Sequence, residues 1–299
     1  MRLTLRRPRR AIALGILAVL LACGYWGWRT LTTPQGAQTV AFTPALEACA
    51  SDGPMKYCIY RARSGTNGDV VYHLHGRNLD ARVWNDATYY TGLLQAEWQA
   101  RGVRPPTVVT LSYGGSWLLS PKGAAPDSGL LDDMMERIPA IEKKLGTPRR
   151  RILLGESMGG LNVLVAGLAY PEHFARIAAL CPGVYTVSPF SPISEIRAGL
   201  ARTGADPKIA FGIWMLARRH YSNDREWRVA SPLTLIEQAG PQSPALYLSN
   251  GLYDAYGNFE GTQALARRAR ARGVQTEWHP LYGGHCALDA PSVAAFLVS

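Results

Sequence analysis

The chain has 299 residues, of which 47% are hydrophobic and 18% charged. This composition excludes global disorder, and the length favours one large domain over two small ones. The net charge of +10 is high, but residues 1–30 contain six arginines and no acid, which leaves +4 for the other 269 residues. Short basic runs at 149–151 and 267–272 are typical of solvated faces, so no nucleic-acid partner is predicted.

The N-terminus has the form of a targeting segment. Five arginines between residues 2 and 10 precede an unbroken apolar run over 11–23, as in a charged n-region followed by an h-region. Residues 1–29 are therefore predicted to be a membrane anchor or a lipoprotein-type signal. A linker over 30–40 and one folded domain over 41–299 are predicted to follow it.

Three endings of this segment stay open. The run from Leu20 to Cys23 resembles a lipobox, in which Cys23 is acylated after cleavage. Continued to Trp28, the apolar stretch has 18 residues and spans about 27 Å as a helix, close to the thickness of a bilayer core. A cleaved, soluble form is the third ending. By the positive-inside rule, each places the folded domain in the cell envelope or periplasm, outside the cytoplasm.

Cysteines fit an exported domain, because disulfides persist there. Cys49 and Cys58 flank the turn sequence Ser-Asp-Gly-Pro at 51–54, so a hairpin with a disulfide between them is predicted. Cys181 and Cys286 each follow an apparent strand. Their sequence positions fit either a second disulfide or two buried thiols.

Strands and helices alternate beyond the hairpin. This alternation predicts an α/β fold with a mostly parallel central sheet and helices on both faces. The rhythm breaks over about 188–240, where four prolines and helical pieces predict an insert or lid between the sixth and seventh strands. Strands are predicted at 70–75, 108–111, 151–154, 177–180, 245–248 and 276–281, and helices at 128–145, 157–168, 260–272 and 292–298.

One glycine-rich turn carries a candidate nucleophile. The run from Gly155 to Gly160 fits the pattern G-x-S-x-G around Ser157. A predicted strand ends there and a helix rich in small residues begins, which is the context of the nucleophile elbow of α/β-hydrolases. Small neighbours let the turn close, and the helix N-terminus favours negative charge on a substrate oxygen.

A serine nucleophile needs a base that is oriented by an acid, and in this fold the order is serine, acid, histidine. His285 follows the last predicted strand after two glycines, so it is the predicted base. His279, inside that strand, is a weaker alternative. Asp254 lies in the loop after the strand at 245–248 and is the predicted acid, whereas Glu260 fits the first turn of a helix.

The oxyanion hole requires two backbone N–H groups. Met158, the residue after the serine, supplies one. Arg77, after the strand that ends at His75, is assigned as the second donor, with Gly76 or Asn78 as alternatives. His73 and His75 are two residues apart and form a conceivable metal pair, but no third ligand is evident nearby. No metal or cofactor is therefore predicted.

These motifs resemble an esterase family that includes esterase D-type enzymes, feruloyl and other carbohydrate esterases, and bacterial mycolyltransferases. The resemblance covers about 45–298 and implies an α/β-hydrolase fold with the triad Ser157, Asp254 and His285. The residues after His75 and Gly76 differ from the family pattern, and the insert matches none of its motifs. The resemblance rests on the runs at 75–77, 113–117, 155–160, 170–174, 178–183, 251–254 and 283–285.

Trp84, Tyr113 and Trp117 lie in two of the loops that resemble the family. They are candidates for the substrate pocket, and loop packing against the sheet edge explains them equally well.

Together these features predict a serine hydrolase that cleaves carboxylic esters through an acyl-enzyme on Ser157. Its substrate would be a small-molecule, carbohydrate or lipid ester. An acyltransferase with a sugar or lipid acceptor is the first alternative, since it uses the same acyl-enzyme. A catalytically inactive binding module is the second, although all three triad positions are filled.

Overall fold

The computed structural model describes residues 7–32 and 40–299, with side chains for 12–29 and 40–299. Residues 1–6 of the predicted targeting segment and 33–39 of the predicted linker lie outside the described residues. Helix α1 (Arg7–Thr32) contains a stretch, 12–29, that is long and apolar enough to cross a membrane. None of that stretch is buried. Cys23, the predicted lipidation site, is exposed on this helix and is in no disulfide.

The core of the molecule is one eight-stranded sheet in the order β1-β2-β4-β3-β5-β6-β7-β8. The first two strands form an antiparallel hairpin at one edge, and from β4 to β8 all neighbours are parallel. The predicted, mostly parallel α/β sheet is confirmed. The strands are β1 (Leu46–Asp52), β2 (Met55–Arg61), β3 (Val70–Leu74), β4 (Thr107–Ser112), β5 (Arg151–Glu156), β6 (Arg176–Leu180), β7 (Ala245–Gly251) and β8 (Thr276–Leu281).

Helices cover both faces of the sheet, because alternate residues of each central strand point to opposite faces and both sets are apolar. Helices α2 and α10 pack on one face, and α3, α4 and α9 on the other. The insert between β6 and β7 contains α5 to α8. The helices are α2 (Tyr90–Ala100), α3 (Leu130–Leu145), α4 (Met158–Ala169), α5 (Ile193–Thr203), α6 (Pro207–His220), α7 (Asp224–Ala230), α8 (Pro232–Leu235), α9 (Phe259–Ala271) and α10 (Ala290–Val298).

The predicted disulfide of the hairpin is confirmed. Cys49 and Cys58 face each other across β1 and β2, with Cα atoms 4.0 Å apart. The two strands are joined by Gly53 and Pro54, and Gly53 adopts a φ of 55°, which a glycine reaches without the steric cost of a side chain. The turn therefore sets the register that brings the two sulfurs together.

The connection from β5 to α4 brings backbones into contact. A Cβ atom at Gly159 would overlap the carbonyl oxygen of Leu74 in β3, and one at Gly155 would overlap the carbonyl of Gly159. A Cβ at Gly160 would lie 2.9 Å from the Leu180 carbonyl oxygen of β6. These glycines let α4 start directly against three neighbouring strands of the sheet.

Gly159→Ala is expected to lower the free energy of unfolding by about 3 kcal/mol or to prevent folding, because the methyl group and the Leu74 carbonyl cannot both fit. Urea unfolding followed by tryptophan fluorescence measures the change. Gly240→Ala is the matched control, since nothing lies within 4 Å of a Cβ atom there, and it should stay within about 0.5 kcal/mol of the wild type. Equal midpoints for both variants would contradict the expected overlap.

Candidate active site

Ser157 lies at the turn between β5 and α4, with φ 54° and ψ −113°. A non-glycine residue in the left-handed region carries strain, and the surrounding structure must hold it there. Its N–H donates to the Leu180 carbonyl (2.9 Å), and its carbonyl accepts from the N–H groups of Leu161 (3.1 Å) and Gly183 (3.2 Å). The hydroxyl is thereby turned out of the sheet into a cavity.

His285 lies within hydrogen-bond distance of both Ser157 and Asp254. Its Nε2 is 2.9 Å from Ser157 Oγ, and its Nδ1 is 2.8 Å from Asp254 Oδ2. A neutral ring that donates from Nδ1 to the carboxylate leaves Nε2 to accept the hydroxyl proton. The ring also stacks on Tyr256, with centroids 3.7 Å apart, so both its orientation and its position are fixed.

The Asp254 carboxylate is buried, with no exposed side-chain surface. It lies in the loop after β7, as predicted. While Oδ2 accepts from His285, Oδ1 accepts from the N–H of Tyr256 (2.8 Å). The carbonyl of Asp254 accepts from the N–H of Gly257 (3.3 Å). These local bonds hold the carboxylate in position to orient the imidazole.

Cys181 and Cys286 form a second disulfide, which settles the alternatives that the sequence left open. It joins the loop after β6 to the residue that follows His285, with Cα atoms 4.9 Å apart. The Cys181 N–H donates to the Ser249 carbonyl of β7 (2.7 Å), and the amide of Asn258 donates to the Cys181 carbonyl (2.9 Å). The disulfide therefore links the segment that carries His285 to the end of β6, which these two hydrogen bonds hold in place.

The backbone N–H groups predicted to form the oxyanion hole belong to residues that line the cavity of Ser157. Met158 is the first residue of α4, so its N–H has no acceptor within the helix. Around His75, the Gly76 N–H donates to Glu156 (2.6 Å) and the Asn78 N–H to the Gly115 carbonyl (2.6 Å). Between them, the Arg77 N–H has no acceptor among the described residues. Met158 and Arg77 both line the cavity that contains Ser157. Of the three candidates for the second donor, Gly76 and Asn78 already donate to other groups, so Arg77 stays the predicted donor.

Glu156 braces this arrangement from inside the protein, a role that sequence reasoning missed. Its buried Oε1 accepts from the Gly76 N–H and from the Tyr89 hydroxyl (3.0 Å). Its Oε2 accepts from the Tyr90 hydroxyl (2.7 Å) and bonds His73 Nε2 (2.9 Å). Burial alone raises the pKa of Glu156, but the charge of His73 and these hydrogen bonds outweigh burial and hold the pKa below its usual value.

The cavity over Ser157 has a volume of about 530 Å³. One wall comes from the sheet edge and another from α6 of the insert. The guanidinium of Arg77 reaches that helix, since its Nη1 is 3.0 Å from where a Cβ of Gly212 would lie. The wall is mostly apolar and aromatic, as is usual for a ligand site. Its aromatic residues are Tyr89, Tyr90, Tyr185, Trp227 and Tyr256.

The three aromatic residues predicted as substrate contacts do not line this cavity. Trp84 is buried in the core, where it stacks on Trp98 and contacts His73. Trp117 is buried against His75, and Tyr113 packs on it. The predicted substrate contacts are corrected to core packing, because the side chains turn into the protein from the loops that carry them.

The remaining histidines have structural partners. All four ring nitrogens of His73 and His75 lie within hydrogen-bond distance of protein groups, so the pair has no free nitrogen for a metal. The two rings also diverge: His73 packs on Trp84 and His75 on Trp117, which belong to cores on opposite faces of the sheet. His279 of β8, the weaker candidate for the base, stacks on Tyr247 of β7.

Comparison with known proteins identifies the class as a carboxylic ester hydrolase of the α/β-hydrolase fold. The chain belongs to the family described as "Putative esterase", whose model matches residues 50–287. No curated protein matches the sequence.

Solved structures show the same fold at low sequence identity. A ferulic acid esterase is 18% identical with a TM-score of 0.58, over 84% of this chain and 93% of its own. An arylesterase is 18% identical with a TM-score of 0.59, over 86% and 84%. An esterase of Pyrobaculum calidifontis is 16% identical with a TM-score of 0.58, over 86% and 85%.

Glu156→Gln is expected to lower stability in a pH-dependent way. The folded-state pKa of Glu156 lies below the value of about 4.3 in an unfolded chain, so its ionised form stabilises the fold above that value, and this contribution is lost as the pH falls through the folded-state pKa. At pH 7 the free energy of unfolding of the variant should therefore be about 1–3 kcal/mol lower than that of the wild type. This difference should shrink below about pH 4.

Urea unfolding between pH 3.5 and pH 7 measures this difference. Glu136→Gln, an exposed position on α3, is the matched control and should follow the wild type at every pH. If Glu156→Gln loses the same unfolding free energy at every pH, the shape of the side chain and not its charge is responsible for the loss.

Proposed function

We propose that this protein hydrolyses carboxylic esters through an acyl-enzyme on Ser157. The observation that carries the proposal is the continuous chain of hydrogen bonds from Ser157 Oγ through His285 to Asp254. It ends in a cavity that Met158 and Arg77 also line. A nucleophile, a base oriented by a buried acid and two backbone donors are the set that acyl transfer requires.

In the first half-reaction, Ser157 Oγ attacks the acyl carbon and its proton passes to His285 Nε2. The carbonyl oxygen takes up negative charge, which the N–H groups of Met158 and Arg77 stabilise. The bond to the leaving alkoxide then breaks, and the alkoxide receives the proton from His285. Asp254 holds the imidazole in the required tautomer and stabilises the transient imidazolium.

In the second half-reaction, water gives a proton to His285 and attacks the acyl carbon of the serine ester. Collapse of the second tetrahedral intermediate releases the carboxylic acid and returns the proton to Ser157. A sugar or lipid hydroxyl in place of water would give the acyltransferase, and analysis of the products with added acceptors separates the two reactions.

The proposed site of action lies outside the cytoplasm. Two disulfides support export, since such bonds persist in oxidising compartments. Helix α1 supports a signal or an anchor, since the stretch 12–29 is apolar, exposed and preceded by arginines. Retention of this helix, or acylation of Cys23, would hold the catalytic domain at the membrane surface.

Ser157→Ala is expected to lower kcat for p-nitrophenyl acetate about 10⁴-fold or more, because the nucleophile is lost while the binding groups stay. Wild-type protein mixed with a fluorophosphonate should carry one adduct, located on Ser157 by peptide mass spectrometry. Ser64→Ala, at an exposed serine, is the matched control and should keep wild-type kinetics. Absence of the adduct from Ser157 in folded protein would contradict the proposal.

Asp254→Asn is expected to lower kcat about 10³- to 10⁴-fold, since an amide facing His285 favours the wrong tautomer. The double variant with Ser157→Ala should be no slower than Ser157→Ala alone, because residues that act as one unit are not additive. Steady-state kinetics of the two single variants and the double variant measure this. If the losses in kcat of the two single variants multiply in the double variant, Asp254 acts independently of Ser157.

A further inference from the structure

A second cavity of about 510 Å³ lies in the insert. Helices α5 and α6 and the segment 185–191 form its walls. Within the part of the chain that the structure describes, no aspartate or glutamate lines it. Most of its wall is apolar, including Val187, Ile196, Leu200, Ala205, Ala210 and Ile213.

This cavity meets the one at Ser157. Tyr185, Ile213 and Tyr256 line both of them. The ring of Tyr256 is also the one that stacks on His285. The two cavities therefore adjoin beside the proposed base.

The outer part of the cavity exposes large apolar side chains. Ile193 is 74% exposed and Phe211 is 63% exposed, and both line the cavity. Grouped apolar surface of this kind is typical of a binding groove. Two of the three arginines in the wall are engaged within the chain: Arg202 pairs with Glu260 (2.9 Å), and the Arg218 guanidinium lies 4.6 Å from the centroid of the Trp214 ring.

We infer that the second cavity binds an unbranched hydrocarbon chain of the substrate, which makes the substrate a lipid-type ester. The inference rests on the proposed function, since it extends the same site. The volume lies within the range of about 300–1,000 Å³ that ligand sites have. Each methylene that enters the cavity should raise kcat/KM about fourfold until the cavity is full.

Two substrate series test the inference and show which side of the ester carries the chain. In p-nitrophenyl esters the acyl chain grows from two to twelve carbons, and in n-alkyl acetates the alcohol grows over the same range. A rise of kcat/KM with length in the first series places the acyl chain in the cavity, and a rise in the second places the alcohol there. No rise in either series overturns the inference.

Cavity-filling variants show whether the dependence of kcat/KM on chain length arises in the second cavity. Ala210→Phe places a ring inside the cavity and should lower the ratio of kcat/KM for the twelve-carbon ester to that for the acetate at least tenfold. Ala201→Phe, exposed on α5 outside the cavity, is the matched control and should keep this ratio within twofold. Ile196→Trp fills the cavity from α5 and serves if Ala210→Phe does not fold. Ratios equal to the control in the folded variants overturn the inference.

Failure of the proposed function is separable from failure of this inference. Acetate hydrolysis that Ser157→Ala abolishes, with no dependence on chain length, leaves the function and removes the inference. If no ester is hydrolysed, binding decides: Ser157→Ala should bind 11-(dansylamino)undecanoic acid with a rise in fluorescence, at least tenfold more weakly when Ala210→Phe is added. Absent binding, or equal binding by both proteins, overturns the inference.

Discussion

Backbone contact between α4 and the strands beneath it is the constraint on which the site depends. Without side chains at Gly155 and Gly159, the helix starts directly on the carbonyl of Leu74, and the chain turns sharply enough to leave Ser157 at a φ of 54°. That strained turn puts the hydroxyl into the cavity and leaves the Met158 N–H at a helix N-terminus. A larger residue at either glycine would separate helix from sheet and misplace both groups.

Parallel pairing of the strands then brings Asp254, His285 and Cys181 to the sheet edge where Ser157 lies. Strands β5, β6, β7 and β8 are neighbours, so their carboxyl ends meet, as in other open α/β sheets. Ser157 follows β5, Asp254 follows β7 and His285 follows β8, while Cys181 follows β6. The residues that directly follow four neighbouring strands are thus enough to assemble the proposed triad and its disulfide.

The sequence predicted the parts of this site that local patterns encode. Ser157 and Asp254 each follow an apolar strand, and His285 follows a pair of glycines after the last predicted strand. The hairpin disulfide follows from a turn between two cysteines. Helix α2 was missed, since Gly92 in its first turn weakens the helical pattern. The direction of a loop side chain depends on tertiary packing, so the sequence left open whether Trp84 and Trp117 line the pocket or pack in the core, where they lie. Glu156 and Tyr256 were missed for the same reason: their partners lie on other strands and loops.

The Cys181–Cys286 disulfide links the geometry of the site to the redox conditions in which the chain folds. The segment that carries His285 is fastened to a neighbouring strand end by a link that only an oxidising environment forms. Before that oxidation, hydrogen bonds and ring stacking alone hold the imidazole between Ser157 and Asp254. In the proposed exported form, the proposed triad would therefore gain this covalent link only after the chain has left the reducing cytoplasm.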